Sequence, residues 1–159
     1  METKKDFSVR RASVDDAAQI LQCLQETFAP YRDSYTPAAF ADTVLTPKTL
    51  RKRSLEMQVL VATDSSGRVV GTVAYKAENR EGRIRGMAVR PGWQGTGVAA
   101  RLLEQAEADL RGLHCGAITL DTTRPLQRAM HFYKAHGFRA TGEVASFFGM
   151  DLLAYRKEL

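Results

Sequence analysis

The apolar positions follow a helical rhythm first and a strand rhythm later. Phe7 to Ala12 reads as a short strand. Ser13-Val-Asp-Asp16 has the form of a capping box, in which a serine and an acid three residues on satisfy free amides at a helix start. Ala17, Ile20, Leu21, Leu24 and Phe28 then fall on one face at helical spacing, and Pro30 stops the run. Tyr31 to Thr36 reads as an aromatic loop. Pro37 suits a helix start, with Ala38, Phe40, Ala41 and Val44 behind it, and a further short helix is predicted from Thr49 to Glu56.

From Val59 the period becomes two. Val59 to Thr63, Val69 to Lys76 and Arg83 to Val89 read as three strands of a meander, joined by turns at Ser65–Arg68 and Asn79–Gly82. Pro91 to Thr96 breaks the third of these. A helix from Gly97 to about Arg111 places Ala99, Leu102, Leu103, Ala106 and Leu110 on one face, and Gly112 ends it. Ala117 to Asp121 reads as a strand and Pro125 as the opening of a helix that ends near Gly137. Phe138–Thr141 and Met150–Tyr155 read as closing strands. The sum is an α+β chain with a central mixed sheet and helices on both faces.

The 159 residues suit one domain spanning 1–159, and 44% apolar with 26% charged residues is ordinary for a globular chain. No apolar run approaches the roughly 18 residues of a membrane span, and Met1 to Arg11 lacks the apolar core of a signal peptide, so the expected location is cytoplasmic. Cys23 and Cys115 match no metal or redox spacing, and His114, His131 and His136 form no metal-binding pattern, so no metal is expected. The net charge of +5 favours an anionic ligand. No dense basic run with interleaved aromatics points to nucleic acid. The sharpest basic stretch, Lys48 to Arg53, reads as a solvated helix face.

Chemistry concentrates in Met87-Ala-Val-Arg-Pro-Gly-Trp-Gln-Gly-Thr-Gly-Val-Ala-Ala100, where a strand ends, a glycine-rich loop turns and an amphipathic helix begins. Such a helix start offers free amides and a positive dipole end to an anion, and Gly95 and Gly97 let a pyrophosphate lie against the backbone. Gly95-x-Gly97-x-x-Ala100 formally matches the dinucleotide fingerprint, with Asp121 as the ribose acid. Against that reading, Pro91 to Gln94 separate the glycines from their strand, the preceding strands form a meander, and too little chain follows for a doubly wound fold. No Gly-Lys-Ser/Thr follows for a Walker A loop.

Gln94-Gly-Thr-Gly-Val-Ala99 resembles the Gln/Arg-x-x-Gly-x-Gly/Ala signature of the GNAT family of N-acetyltransferases, and Met87 to Pro91 is similar to the end of that family's fourth strand. Ala129-Met-His-Phe-Tyr-Lys-Ala-His-Gly-Phe138 resembles its later A-x-x-F-Y-x-x-x-G-F segment, and together the likeness covers nearly the whole chain. The resemblance implies a mostly antiparallel mixed sheet of about seven strands, splayed between the fourth and fifth and flanked by about four helices. It implies acetyl-CoA as co-substrate, with Met87, Ala88 and Val89 along its pantetheine and Gln94, Gly95, Thr96, Gly97, Val98 and Ala99 around its pyrophosphate. Core packing is the other reading of Met87 and Val89.

The implied reaction is direct attack of an amine on the acetyl group, without an acyl-enzyme. Consistent with this, the chain holds no G-x-S-x-G elbow. By the resemblance, the Val89 amide would stabilise the oxyanion and Tyr133 would act as general acid toward the departing thiolate. The alternative for Tyr133 is a core aromatic beside Phe132. The fourth strand carries no acid where many relatives place one, and Glu26, Asp121 and His131 compete as bases without a choice among them. Leu126 stands where many relatives have an asparagine that contacts pantetheine; Thr122 or Thr123 are the candidate substitutes. Phe28, Tyr31, Tyr35 and Asp121 are candidate acceptor contacts, with Phe40, Phe147 and Phe148 nearby in the implied fold. The acceptor would be a small-molecule amine or a peptide, with neither nucleic acid nor membrane as partner and a homodimer as a candidate assembly. A non-catalytic acyl-CoA sensor on the same fold is the rival reading.

Overall fold

A computed structural model describes residues 5–159. Its strands are β1 (Phe7–Arg11), β2 (Gln58–Asp64), β3 (Val69–Glu78), β4 (Glu81–Val89), β5 (Ala117–Thr123), β6 (Arg139–Phe147) and β7 (Met150–Glu158). They form one sheet in the order β1-β2-β3-β4-β5-β7-β6, in which only the β4–β5 pair is parallel. Five α-helices accompany them: α1 (Ala17–Phe28), α2 (Pro37–Thr43), α3 (Pro47–Glu56), α4 (Val98–Gly112) and α5 (Gln127–Ala135).

Period-two alternation divides the core. On β2, Leu60 and Ala62 face the layer of α4 and α5, where they join Val73, Leu102, Ala106, Leu110 and Tyr133. Val59 and Val61 face the other way and pack with Ile20, Leu24 and Phe28 of α1 and Leu50 of α3. A sheet covered on both faces buries every second residue on each side, which is why β2 and β3 read as nearly continuous apolar runs. Gly71 on β3 allows the tightest of these approaches. A Cβ there would come within 2.6 Å of Val98 Cγ1, so only glycine lets α4 seat at this depth.

Local chemistry sets the boundaries. Asn79 and Arg80, both at positive φ, make the tight turn between β3 and β4. Thr46 caps α3, its hydroxyl accepting from the Thr49 N–H (3.2 Å), so that helix begins two residues before the predicted Thr49. The segment Tyr31 to Thr36 belongs largely to a 3-10 turn over Ala29–Ser34. The helix predicted from Pro125 begins at Gln127. The largest difference from the sequence pattern is β6, which runs to Phe147 instead of Thr141. It is an edge strand exposed on both faces, so no alternation marks it; a bulge at Gly142 interrupts its pairing with β7 between Ala140 and Val144.

The entry to α1 is fixed by charge. The Asp16 carboxylate accepts from the Ser13 N–H (2.7 Å) and from two nitrogens of Arg10 (2.7 and 2.9 Å). The Arg10 hydrogen bonds, with help from Ser13, hold the Asp16 carboxyl down at about 2. A carboxyl depressed in the fold contributes stability above its unfolded value and loses it as pH falls through the folded one. Half exposure of Arg10 reduces the contribution to the order of 1–2 kcal/mol. Chemical denaturation across pH 2–6 should show wild type ahead of Asp16→Asn above pH 4, the difference closing between pH 4 and 2. A difference constant with pH would place the effect in packing instead.

Candidate functional site

β4 and β5 pair only at Glu81–Ala117, Gly82–Ile118 and Arg83–Thr119, then part. The cause lies in β4. Gly86 takes φ +70, and the β3–β4 register slips by one residue opposite Val73, which bends β4 away from its parallel neighbour. The result is a cleft of about 670 Å³ between the strands, continued at one end by the β4–α4 loop and at the other by α1, α2 and α3. Past the slip, the N–H of Arg90 donates to the Val70 carbonyl (2.9 Å). Alternation along a strand therefore turns the main-chain groups of Ala88 to β3 and those of Met87 and Val89 toward the cleft.

At the loop end, Gly95 (φ +77) and Gly97 (φ +96) carry the chain from a 3-10 turn at Pro91–Trp93 into α4. Gly97 is the N-cap and offers no side chain, and the first intrahelical donor is Arg101 to the Gly97 carbonyl (3.0 Å). The amides of Val98, Ala99 and Ala100, all three at the cleft wall, are left for a ligand. The Gln94 side chain is committed within the protein: it donates to the Val89 carbonyl (3.1 Å) and accepts from Arg128 (3.1 Å). Thr96 does not line the cleft; its hydroxyl donates to the Trp93 carbonyl (2.5 Å) and holds the turn.

Met87, Ala88, Val89, Gln94, Gly95, Gly97, Val98, Ala99 and Tyr133 all border this one space, as do Phe28, Tyr31, Tyr35 and Asp121. Tyr133 comes from α5 and is 6% exposed; burial pushes its phenol well above the usual tyrosine value. Phe28 is mostly core, packed with Ile20 and Leu24. The Tyr35 hydroxyl is bonded to Thr123 Oγ1 (2.6 Å), which ties the α1–α2 connection to the end of β5. Thr122 beside it is buried at the cleft, and its hydroxyl has no partner among the described residues.

The three base candidates do not converge. Asp121 borders the cleft but is ion-paired with Arg83, Glu26 lies outside it and binds Arg90 (2.6 Å), and His131 is exposed outside it. Phe147 lines the cleft, whereas Phe40 and Phe148 do not. None of the arginines at this site is among the candidate site residues of the sequence. Arg128 reaches from α5 to the glycine loop. Arg53 departs from the predicted solvated face: Lys48, Arg51 and Lys52 are exposed, but Arg53 turns inward onto Gly86. Helical phase could have flagged Arg53, because Leu50, three residues before it, is buried. Four arginines and two aspartates line the cleft, a positive balance suited to an anion. Among the described residues no cluster of His, Cys, Asp and Glu could hold a metal ion, and no helix is long and apolar enough to cross a membrane.

A seven-stranded sheet opened at its parallel pair, with a glycine-rich turn and an uncapped helix at the opening, matches the fold of the GNAT acetyltransferases. The chain belongs to the Acetyltransferase (GNAT) family, whose sequence pattern matches residues 18–138. Among curated relatives it is 34% identical over 84 residues to mycothiol acetyltransferase of Propionibacterium freudenreichii subsp. shermanii, covering 50% of this chain and 27% of that protein. It is 26% identical over 84 residues to the uncharacterized protein YdhI of Bacillus subtilis, covering 53% and 51%. These matches thus span between about a quarter and half of the relatives' own length. The fold is similar to that of a GNAT-family acetyltransferase from Staphylococcus aureus Mu50, with TM-score 0.79, 17% identity and 97% and 99% of the two chains covered. The same TM-score, identity and coverage relate it to the PaiA N-acetyltransferase of Thermoplasma acidophilum, solved in complex with coenzyme A.

Gly97 gives the site a direct structural test. A side chain at its left-handed backbone costs about 1–2 kcal/mol, so Gly97→Ala should lower the melting temperature by about 2–8 °C. An unchanged midpoint would mean that the loop adopts another conformation.

Proposed function

We propose that the protein transfers the acetyl group of acetyl-CoA to an amine by direct attack. The parted β4–β5 edge carries this reading: it leaves cleft-facing main-chain groups of Met87 and Val89 beside an uncapped helix start and a buried phenol. Buried backbone donors left without partners are costly, and an extended amide chain between the strands would satisfy them. The residues present fit acetyl-CoA. The amides of Val98, Ala99 and Ala100 suit the pyrophosphate, Arg128 adds a positive charge at the same loop, and Thr122, whose buried hydroxyl has no partner among the described residues, borders the same cleft. Leu126 lines that wall without a polar group, so Thr122 is the residue we assign to the hydrogen bond that an asparagine would otherwise make.

Acetyl-CoA supplies an activated acyl group and a thiolate leaving group. The Val89 amide, facing the cleft, would stabilise negative charge on the acyl oxygen, a contribution of about 3–4 kcal/mol in comparable oxyanion sites. Tyr133 would hold the proton destined for the sulfur. Burial that raises its pKa keeps it protonated at every working pH, and the same desolvation would raise a thiol leaving in the same cleft, which offsets the weaker acidity of the phenol. Tyr31, Tyr35 and Phe147 would shape the acceptor end. Asp121 would act there through Arg83, since the two are paired.

Saturating acetyl-CoA, at about 100 times its dissociation constant, should stabilise the protein by about 2.7 kcal/mol and raise its melting midpoint by several degrees, while NAD should not. Tyr133→Phe should keep that shift and lower the release of free thiol with an amine acceptor by at least about tenfold. A shift with no thiol release from any amine would identify an acyl-CoA sensor. Unchanged turnover in the variant would remove Tyr133 from the chemistry.

Thr122→Val separates the hydroxyl's two states. It removes an unpartnered buried oxygen from the free protein, so the ligand-free melting midpoint should rise. The bound state loses a hydrogen bond, so acetyl-CoA should bind about 2–10-fold more weakly by calorimetry. Equal affinity would show that the hydroxyl never meets the ligand.

A further inference from the structure

The acceptor end of the cleft holds three arginines and two aspartates, and they do not pair off evenly. Arg83 is ion-paired with Asp121, and Arg85 with Asp42 at 3.0 Å. Arg53 is left over. Its guanidinium leans on the β4 bulge so closely that a Cβ on Gly86 would stand 2.7 Å from Nη1. It borders the cleft and makes no hydrogen bond or ion pair among the described residues, although the charges of Asp42 and Glu56 lie near enough to attract it. Surrounding protein and the neighbouring charge of Arg85 lower its pKa to about 10, so it remains a cation at neutral pH. A half-buried guanidinium with its donors unused is an incomplete site. Such a fork is matched in shape and charge by one carboxylate.

Resting on the acetyltransferase reading above, we infer that the acceptor is a small amine that also bears a carboxylate, received by Arg53 over the Gly86 bulge. The neighbouring ion pairs sharpen the choice. They neutralise Arg83 and Arg85, so the acceptor end presents one net positive charge. That suits a monoanion better than a phosphate monoester, and it offers no anion to a second ammonium group. Gly86 then has two roles. Its positive φ parts the strands, and its missing side chain makes room for the guanidinium.

The test pairs amino acids with their carboxamides, which differ in charge but barely in shape, and adds a diamine and an aminoalkyl phosphate. Thiol release from acetyl-CoA reads turnover. Calorimetry reads binding of the same compounds to protein saturated with CoA. The acid is expected to exceed its amide by at least about tenfold in kcat/KM, mostly through KM, and to bind the CoA complex more tightly. Arg53→Met should abolish that preference and bring the acid down to the amide's level, while the melting shift with acetyl-CoA persists. Arg53→Lys should restore part of it. Arg51→Met, exposed on the same helix, should change nothing. Equal use or equal binding of acid and amide, a preference for the phosphate or diamine, or a preference that survives Arg53→Met would each overturn the inference. Preference confined to the terminal carboxylate of longer peptides would overturn the small-acceptor part. If acetyl-CoA itself fails to bind wild type, the acetyltransferase reading fails first, and the calorimetric comparison of acid and amide on the free protein still decides the role of Arg53.

Discussion

The architecture depends on two parallel strands that begin paired and then separate. Three residue pairs hold β4 to β5 at one end, and beyond Arg83 and Thr119 the ladder stops. In an ordinary sheet such a gap would be closed, because buried amides and carbonyls without partners are penalised. Here three features keep it open. The bulge at Gly86 bends β4, Tyr133 of α5 and Leu126 just before it occupy the facing wall, and β5 is drawn the other way by a full ladder with β7 from Ala117 to Thr123. The same separation creates the cavity, its unpaired strand edge and its access to the helix start, so one backbone irregularity provides most of what the proposed chemistry requires.

An opening of this kind needs a rigid hinge point, and Arg90 supplies one. Its side chain is 2% exposed, donates to the Val69 carbonyl at 2.6 Å and pairs with Glu26 of α1 at 2.6 Å. A guanidinium this deep is tolerated only when its donors are occupied. Through those bonds the residue that follows β4 is fixed to β3 on one side and to α1 on the other. The glycine turn that follows therefore starts from a fixed position, although two of its residues have the widest backbone freedom of any amino acid. Gln94 adds a second tie by bonding the Val89 carbonyl, which leaves the amide of the same residue as its free cleft-facing group.

How much of this was legible in the sequence follows from how local each signal is. The strands and helices with a buried face, from the first helix through Thr123, announce themselves by period and caps, and the glycine turn by composition. The end of β6 does not, because an edge strand with both faces in solvent has no alternation to show, and Val144 is 54% exposed within it. The site divides in the same way. The candidate site residues carried by the two motifs reach one cavity, apart from Thr96, whose hydroxyl serves the turn, and His131, which is exposed outside it. The charges behave differently. Asp121 is absorbed by Arg83, Glu26 by Arg90, and Arg53 leaves the solvated face that its basic neighbours share. Ion-pair partners lie 38 residues or more apart in these cases, so no window along the chain could assign them.

The distribution of paired and unpaired groups in the cleft carries the final step. Every acidic side chain that lines it is held by an arginine, and so is unavailable as a free carboxylate. The groups left over are mostly donors: the helix-start amides, the Val89 amide and the Arg53 guanidinium, with the Thr122 hydroxyl and the Tyr133 phenol able to donate as well as accept. A surface that offers donors and few acceptors selects a ligand rich in oxygen acceptors and negative charge. Pyrophosphate at one end and a carboxylate at the other satisfy that selection, with a carbonyl between them. Tyr31 and Tyr35 line the same end of the cleft as Arg53. The net positive charge left by Arg53 at that end disfavours an ammonium ion and favours the neutral amine, the form with a lone pair available for attack. With no free carboxylate base among the described residues of the cleft, the proposed transfer would draw on an amine that arrives already deprotonated, and the proposed carboxylate of the same molecule would hold it there.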